Sequence, residues 1–194
     1  MAIEVAPNVE TVKKLTPDDV LRMMLAGELN PDFNYELDDG ELIEVPPAFG
    51  DHGSTSLDVA AEFRNLAKRC GGRAFDSSTG FLVGADLKQL RSPDAAYIGP
   101  ARIQPSYPRW IEGAPDVAVE VLSKDQHTDR CARSIVREYF EAGAQIVWLA
   151  DPVKREIRVY RPNSDEYTIY RRDAVLTLEP VVAGFILKVS DIFP

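Results

Sequence analysis

Residues 115–152 read as strand, helix, strand, and no other stretch of the chain constrains the fold as tightly. The first segment, APDVAVEVLS, is an apolar run with Glu120 in its middle. The second runs from Asp129 to Ala142, where Ala132, Ile135, Val136, Tyr139 and Phe140 recur at helical spacing and Gly143 is placed to cap the C-terminus. The third, QIVWLA, is a buried strand ended by Asp151-Pro152. A helix that joins two such strands is a crossover, so the spacing predicts that the Glu120 and Trp148 strands lie parallel in one sheet. A carboxylate inside VAVEVL is the residue out of place. Burying an unpaired charge is costly, so Glu120 is expected to be paired, protonated or bound to a metal.

The preceding chain supplies further elements. Thr16-Pro17-Asp18-Asp19 starts a helix, with threonine as N-cap, proline in the first turn and acids next to it; Gly27 ends it. Tyr35–Leu37 and Glu41–Val45 flank Asp39-Gly40 as a tight hairpin, closed by Pro46-Pro47. Asp51 to Arg69 is a second helix, with Val59, Phe63, Leu66 and Cys70 along one face. Arg73 to Phe75 and Thr79 to Val83 are strand-like, Asp86 to Leu90 reads as a turn or loop, and Arg91 leads into a strand through RSPDAAYIG, which Asp94 enters. Ile103 to Ala114, with Pro105 and Pro108, reads as a loop. Past Pro152, REIRVYRP, DEYTIYRR, AVLTLE and FILKV read as short strands. The expected fold is mixed α/β: a central mixed sheet flanked by helices, an N-terminal helix and hairpin, and C-terminal strands. The length suits one domain, residues 1–194, with its core at about 51–152.

Charge narrows the function classes. The net charge is −9, whereas nucleic-acid-binding domains generally carry a basic excess that neutralises phosphates. Contact with DNA then requires a local basic patch, a metal that offsets the site's own carboxylates, or both. No apolar run approaches the ~20 residues of a membrane span. No basic and then apolar leader is present, and two cysteines are too few for a disulfide framework, so the expected compartment is the cytoplasm.

Asp94 and Glu120 are the candidate site, on strands expected to be neighbours. Two carboxylates held together repel, and a hard divalent cation relieves the repulsion; oxygen-only ligation favours Mg²⁺ or Mn²⁺. Such an ion activates water and stabilises the charge that develops in phosphodiester cleavage. The competing reading has Asp94 capping a turn after Pro93 and Glu120 paired with an arginine of the Asp129 helix.

YELDDGELIEVPPAFGDH, RSPDAAYIG, PDVAVEVLS and REYFEAGAQIVWLADP, in this order, resemble a large bacterial family of restriction-endonuclease-like proteins with the PD-(D/E)xK nuclease core. The resemblance covers the chain from Thr16 onward. It implies that Asp94 is the acid of the PD half-motif and Glu120 that of the (D/E)xK half, both metal ligands, with Glu44 and His52 nearby. Glu44 is then a third ligand or a base for the attacking water, or else a solvated hairpin carboxylate. His52 is a residue that orients water or contacts phosphate, or else a partly exposed structural histidine.

The chain departs from that pattern at the lysine. Leu122 stands at the xK position, and Ile135 stands where the family often moves the lysine, four residues before the tyrosine. Lys124, Arg133 and Arg137 are the substitutes within reach in sequence. Lys124 keeps the parity of Glu120 if the strand continues, whereas the two arginines diverge from Ile135 by roughly 200° at helical spacing. Lys124, Arg130, Arg133 and Arg137 together are the local basic charge that DNA binding requires. Three functions follow: a Mg²⁺- or Mn²⁺-dependent endonuclease acting on DNA, with Asp94, Glu120, Lys124, Glu44 and His52 at its site; a nuclease-like module that binds without cutting; and a structural domain in which an internal arginine neutralises Glu120. The C-terminal strands IRVYRP, YTIYRR and FILKV are expected to form an apolar sheet edge covered in a homodimer.

Overall fold

Local chemistry sets the first elements. In the computed structural model, which describes residues 14–123, 129–164 and 166–193, helix α1 is Pro17–Leu25. Thr16 caps it: its hydroxyl oxygen accepts from the Asp19 amide at 3.2 Å, and the Asp19 carboxylate accepts from the Thr16 amide at 3.0 Å. Removing the cap by Thr16→Ala is expected to cost about 1 kcal/mol in urea denaturation, and an unchanged midpoint would show that the cap contributes nothing. Strands β1 (Asn34–Asp38) and β2 (Glu41–Val45) pair in register around Asp39 and Gly40, both at positive φ (44° and 79°), the turn that matches strand twist.

Next come α2 (Gly50–Cys70), β3 (Arg73–Asp76), β4 (Phe81–Val83), β5 (Gln89–Arg91), β6 (Ala95–Ile98), β7 (Ile111–Glu112), β8 (Val117–Val121) and α3 (Asp129–Glu141). They are followed by β9 (Ile146–Asp151), β10 (Glu156–Tyr160), β11 (Tyr167–Arg171), β12 (Val175–Leu178) and β13 (Val182–Lys188). One sheet has the order β11-β10-β9-β8-β6-β3, a second β2-β1-β5-β4-β7, and β12 pairs with β13.

The six-stranded sheet is the centre. The crossover through α3 makes β8 and β9 parallel, as the apolar spacing predicts, with Glu120 opposite Leu149. Successive side chains of β8 face opposite ways. Val117, Val119 and Val121 join Val59, Phe63 and Leu66 of α2, Trp148 of β9, and Leu176, Leu178, Phe185 and Leu187 of the β12–β13 sheet. Ala118 and Leu122 face the other core, with Val136 and Tyr139 of α3 and Phe81 and Val83 of β4. Glu120 shares this second face by parity. Gly143, at φ 100°, closes α3: its amide donates to the Phe140 carbonyl and that of Ala144 to the Tyr139 carbonyl, at 3.0 and 2.9 Å.

The mixed α/β architecture with flanking helices and C-terminal strands agrees with expectation; three points differ. Residues 89–91 form a strand rather than a loop, because Leu90 fills the small core of Val20 and Leu37. Within the expected loop, Ile111 and Glu112 pair with Phe81 and Leu82. The C-terminal strands do not share one edge: β10 is interior, β11 is the only one of them at an edge of the central sheet, whose other edge is β3, and β13 turns Phe185 and Leu187 into the main core. Among the described residues no helix is long and apolar enough to cross a membrane.

Candidate functional site

Asp94 and Glu120 meet because β6 and β8 are antiparallel neighbours. Ala95 stands opposite Val119, and continuing that register one step sets Asp94 opposite Glu120. Asp94 lies just ahead of β6, where Pro93 ends the previous segment. Its Oδ2 accepts from the Val121 amide at 2.7 Å and stands 3.3 Å from Nε2 of His52 in the first turn of α2. The Ser56 hydroxyl is a further partner of Asp94, and Ser56 also lies 3.5 Å from Nδ1 of His52. Residues 52 and 56 are one helical turn apart, so a single face of α2 presents both to Asp94.

Glu120 is held from the α3 side. The Tyr139 hydroxyl, fully buried in α3, donates to Glu120 Oε1 at 2.5 Å. Among the described residues a tyrosine of the apolar stripe, and not Arg133 or Arg137 of α3, is the hydrogen-bond partner of Glu120; the Arg130 side chain lies outside them. Burial pushes the Glu120 carboxyl well above its ordinary value, and the charges of Asp94 and Glu36 push it further, with Tyr139 and Arg91 working the other way. Asp94 is raised too, by burial first, against the opposing pull of His52. Tyr139 is raised by burial and by Glu120.

The hairpin contributes Glu36, a residue that no motif in the sequence marks. Glu44, expected near the site, stands opposite Tyr35 in the hairpin and so lies on the face away from Glu36; it is exposed. Glu36 accepts from the Ser92 amide at 3.0 Å and from Arg91 at 3.4 Å. Arg91 is the hub: its Nε donates to Glu138 at 2.9 Å, and its other nitrogens reach Asp38 at 3.0 Å and Glu36 at 3.4 Å. Burial opposes the Arg91 charge, and Glu138, Glu36 and Asp38 more than restore it. The guanidinium acts on Glu120 through the field rather than by contact.

Both lysine positions are core. Leu122 is buried and Ile135 packs against the same cluster. Lys124 lies outside the described residues. Arg133 and Arg137 are exposed and open with Tyr160 and Asn163 onto a cavity of about 660 Å³, toward the end of β10 remote from Glu120. A second Pro-Asp pair precedes β8, and its acid is structural: Asp116 accepts from the Gly99 amide, Arg102 and Gln145, each at 2.8 Å.

Among the described residues no three His, Cys, Asp or Glu side chains form a ready metal centre. Asp94 and Glu120 are a two-carboxylate donor set of hard oxygens, and that suits Mg²⁺, which keeps several waters and takes one or two carboxylates plus substrate phosphates.

The raised carboxyls make stability in EDTA depend on pH. Glu120 holds its proton more tightly in the folded state, so the destabilisation from its charged form is complete above the folded pKa. That effect fades as pH falls through the raised value toward the ordinary one. Glu120→Gln is therefore expected to stabilise the metal-free protein at about pH 8, with the gain shrinking toward pH ~5 in paired urea denaturation curves. A gain independent of pH would count against the shift.

Known proteins share this architecture. A family model described as "Uma2: Putative restriction endonuclease" matches residues 17–190. A crystal structure described as a "putative nuclease belonging to DUF820" from Anabaena variabilis has a TM-score of 0.74 to this chain at 24% identity, covering 92% of this chain and 97% of that one. That likeness establishes a shared fold. No curated protein matches the chain.

Proposed function

The chain belongs to the Uma2 family, described as putative restriction endonucleases, and from that premise we propose that it is a cytoplasmic, Mg²⁺- or Mn²⁺-dependent endonuclease acting on DNA phosphodiester bonds. The observation that carries this reading is the register-opposed pair Asp94 and Glu120, two carboxyls raised by burial at the end of a central sheet. They would hold the ion, which when bound supplies Lewis-acid stabilisation and a more acidic water. Tyr139 fixes the Glu120 carboxylate, and the Val121 amide and Ser56 fix that of Asp94. His52, with Nε2 at Asp94 and Nδ1 at Ser56, orients the Asp94 carboxylate and stands at the rim, where it can contact a phosphate or a water. Lys124 is the proposed replacement for the motif lysine; Glu44, which the resemblance sets near the site, is assigned no contact there, and Glu36 is the hairpin carboxylate whose charge acts on Glu120.

The test is cleavage of plasmid and single-stranded DNA with Mn²⁺ by the wild type and by Asp94→Asn. Loss of cleavage in the variant supports the enzyme; equal residual cleavage in both would assign it to a contaminant. A second reading rests on Leu122 and Ile135 at the lysine positions: a module that binds the ion and DNA but does not cut. Calorimetric Mn²⁺ binding by a wild type without cleavage selects it. A homodimer through the open edge of β11, where Ile169 is exposed, is part of the proposal and is read by sedimentation velocity.

A further inference from the structure

The β9–β10 hairpin turn and the β11–β12 connection adjoin at the end of the central sheet that also carries the carboxylates. β8 and β9 are parallel and Val121 pairs with Ala150, so β9 ends beside Glu120's end of β8. Asp151 pairs with Glu156, and Glu156 with Arg171, so the β9–β10 turn and the segment after β11 lie at that same end. Lys154 and Arg155 stand on the first turn, Arg171 and Arg172 at the second, and all four line one cavity of about 450 Å³ with Asp173 and Ser190. In a chain of net charge −9 this is a concentration of cations.

Their roles divide. Arg171 contacts the buried Glu156 carboxylate at 2.5 Å, and Lys154 stands 3.6 Å from buried Asp151. Arg155 and Arg172 are exposed, and among the described residues neither makes an ion pair with a carboxylate; Asp173 is the acid nearest Arg172 in sequence. Both arginines also occupy the left-handed region, at φ 53° and 49°, where glycine or asparagine is favoured. Hydrogen bonds hold both turns. Asp151 accepts from the Val153 and Lys154 amides at 3.1 and 2.9 Å, and the Arg172 carbonyl accepts from the Ser190 amide at 2.9 Å. Long cations are thus presented, at a conformational cost, from two anchored turns.

We propose that Arg155 and Arg172 hold the phosphodiester backbone of duplex DNA beside the Asp94–Glu120 carboxylates. The fit is metric. At about 4.8 Å between strands, the two turns lie roughly 7–14 Å from Glu120 across the sheet. With about 3.4 Å per nucleotide along one strand, that is roughly two to four base pairs from the bond addressed at the carboxylates. The proposal rests on the nuclease reading for the position of the DNA, but not on cleavage.

Glycine suits both backbone positions, so the double variant Arg155→Gly, Arg172→Gly removes charge without burdening the fold. Its melting temperature should equal or exceed that of the wild type. Fluorescence anisotropy of a labelled duplex of about 30 base pairs, titrated in EDTA between about 50 and 200 mM salt, reads the contacts. The expected result is about a tenfold weaker Kd at the lower salt and a slope of log K against log salt reduced by about 1.8, one phosphate per arginine. Arg155→Lys, Arg172→Lys should keep most of the slope. Unchanged Kd and slope in the glycine variant, or no binding of the duplex by the wild type, overturns the proposal. Because the assay contains no metal, the two readings fail separately. Absent Mn²⁺-dependent cleavage with the arginine effect intact removes only the nuclease; cleavage with no arginine effect removes only this contact.

Discussion

Glu120→Gln is expected to lower Mn²⁺-dependent DNA cleavage about a thousandfold while leaving the protein folded. The size follows from what the residue supplies. Glu120 is one of two carboxylates available to hold an ion whose Lewis-acid stabilisation is worth several kcal/mol, and each 1.4 kcal/mol is about tenfold in rate. Glutamine keeps the shape and still accepts the Tyr139 hydrogen bond, so the loss is one of charge at one oxygen pair. It also relieves the repulsion from Asp94 and Glu36 that raises the Glu120 carboxyl. The variant therefore loses cleavage and gains stability in EDTA, a pairing of effects that a purely structural carboxylate would not give. Single-turnover cleavage with Mn²⁺ and urea denaturation of the same preparation check both halves. Wild-type cleavage unchanged in Glu120→Gln would remove Glu120 from the site.

How far the site is legible in the sequence depends on the range of the contacts that build it. The β8–α3–β9 unit shows because its apolar spacing is local and long: VAVEVL, the Ala132 to Phe140 stripe and QIVWLA each bury a face that needs nothing distant to identify it. The opposition of Asp94 and Glu120 follows from reading those strands as neighbours. Glu36 and Arg91 do not show. Their contact spans 55 positions and depends on Leu37 standing opposite Leu90, in a strand of three residues too short for any period to register. Tyr139 looks like one more apolar position of an amphipathic helix; its hydroxyl matters only because α3 packs on the face that Glu120 shares. Glu44 and Glu36 are separated by parity alone within a hairpin that the sequence places well. One step along β1 or β2 exchanges the faces, and only the pairing of Tyr35 with Glu44 shows which carboxylate turns toward Arg91. The second Pro-Asp pair is the converse case: Asp116 looks like Asp94 in sequence, and three donors at 2.8 Å make it structural.

Arg91→Met is expected to destabilise the protein by about 3–5 kcal/mol, the largest effect on folding of any single change around the site. Methionine fills most of the volume, so packing is not what is lost. What remains is the Glu138 carboxylate, buried with its partner gone, with Glu36 and Asp38 beside it and Asp94 already repelling Glu120. An uncompensated buried charge costs more than the pair contributes, which is why removing one member is far worse than removing both. The pH dependence gives the mechanism its signature. Burial already raises Glu36 and Glu120 and Arg91 pulls both down, so without the guanidinium these two carboxyls hold protons more tightly still in the folded state; the part of the deficit that comes from them is full above their raised values and shrinks as pH falls through those values. Urea denaturation of wild type and variant at about pH 8 and about pH 5 reads this directly. The second check is the double change Arg91→Met, Glu138→Gln, which should recover part of the loss because it removes the stranded charge along with its partner. A deficit that is the same at both pH values, with no recovery in the double variant, would mean that Arg91 stabilises by packing its alkyl stem and not by holding the hairpin's carboxylates against those of the sheet.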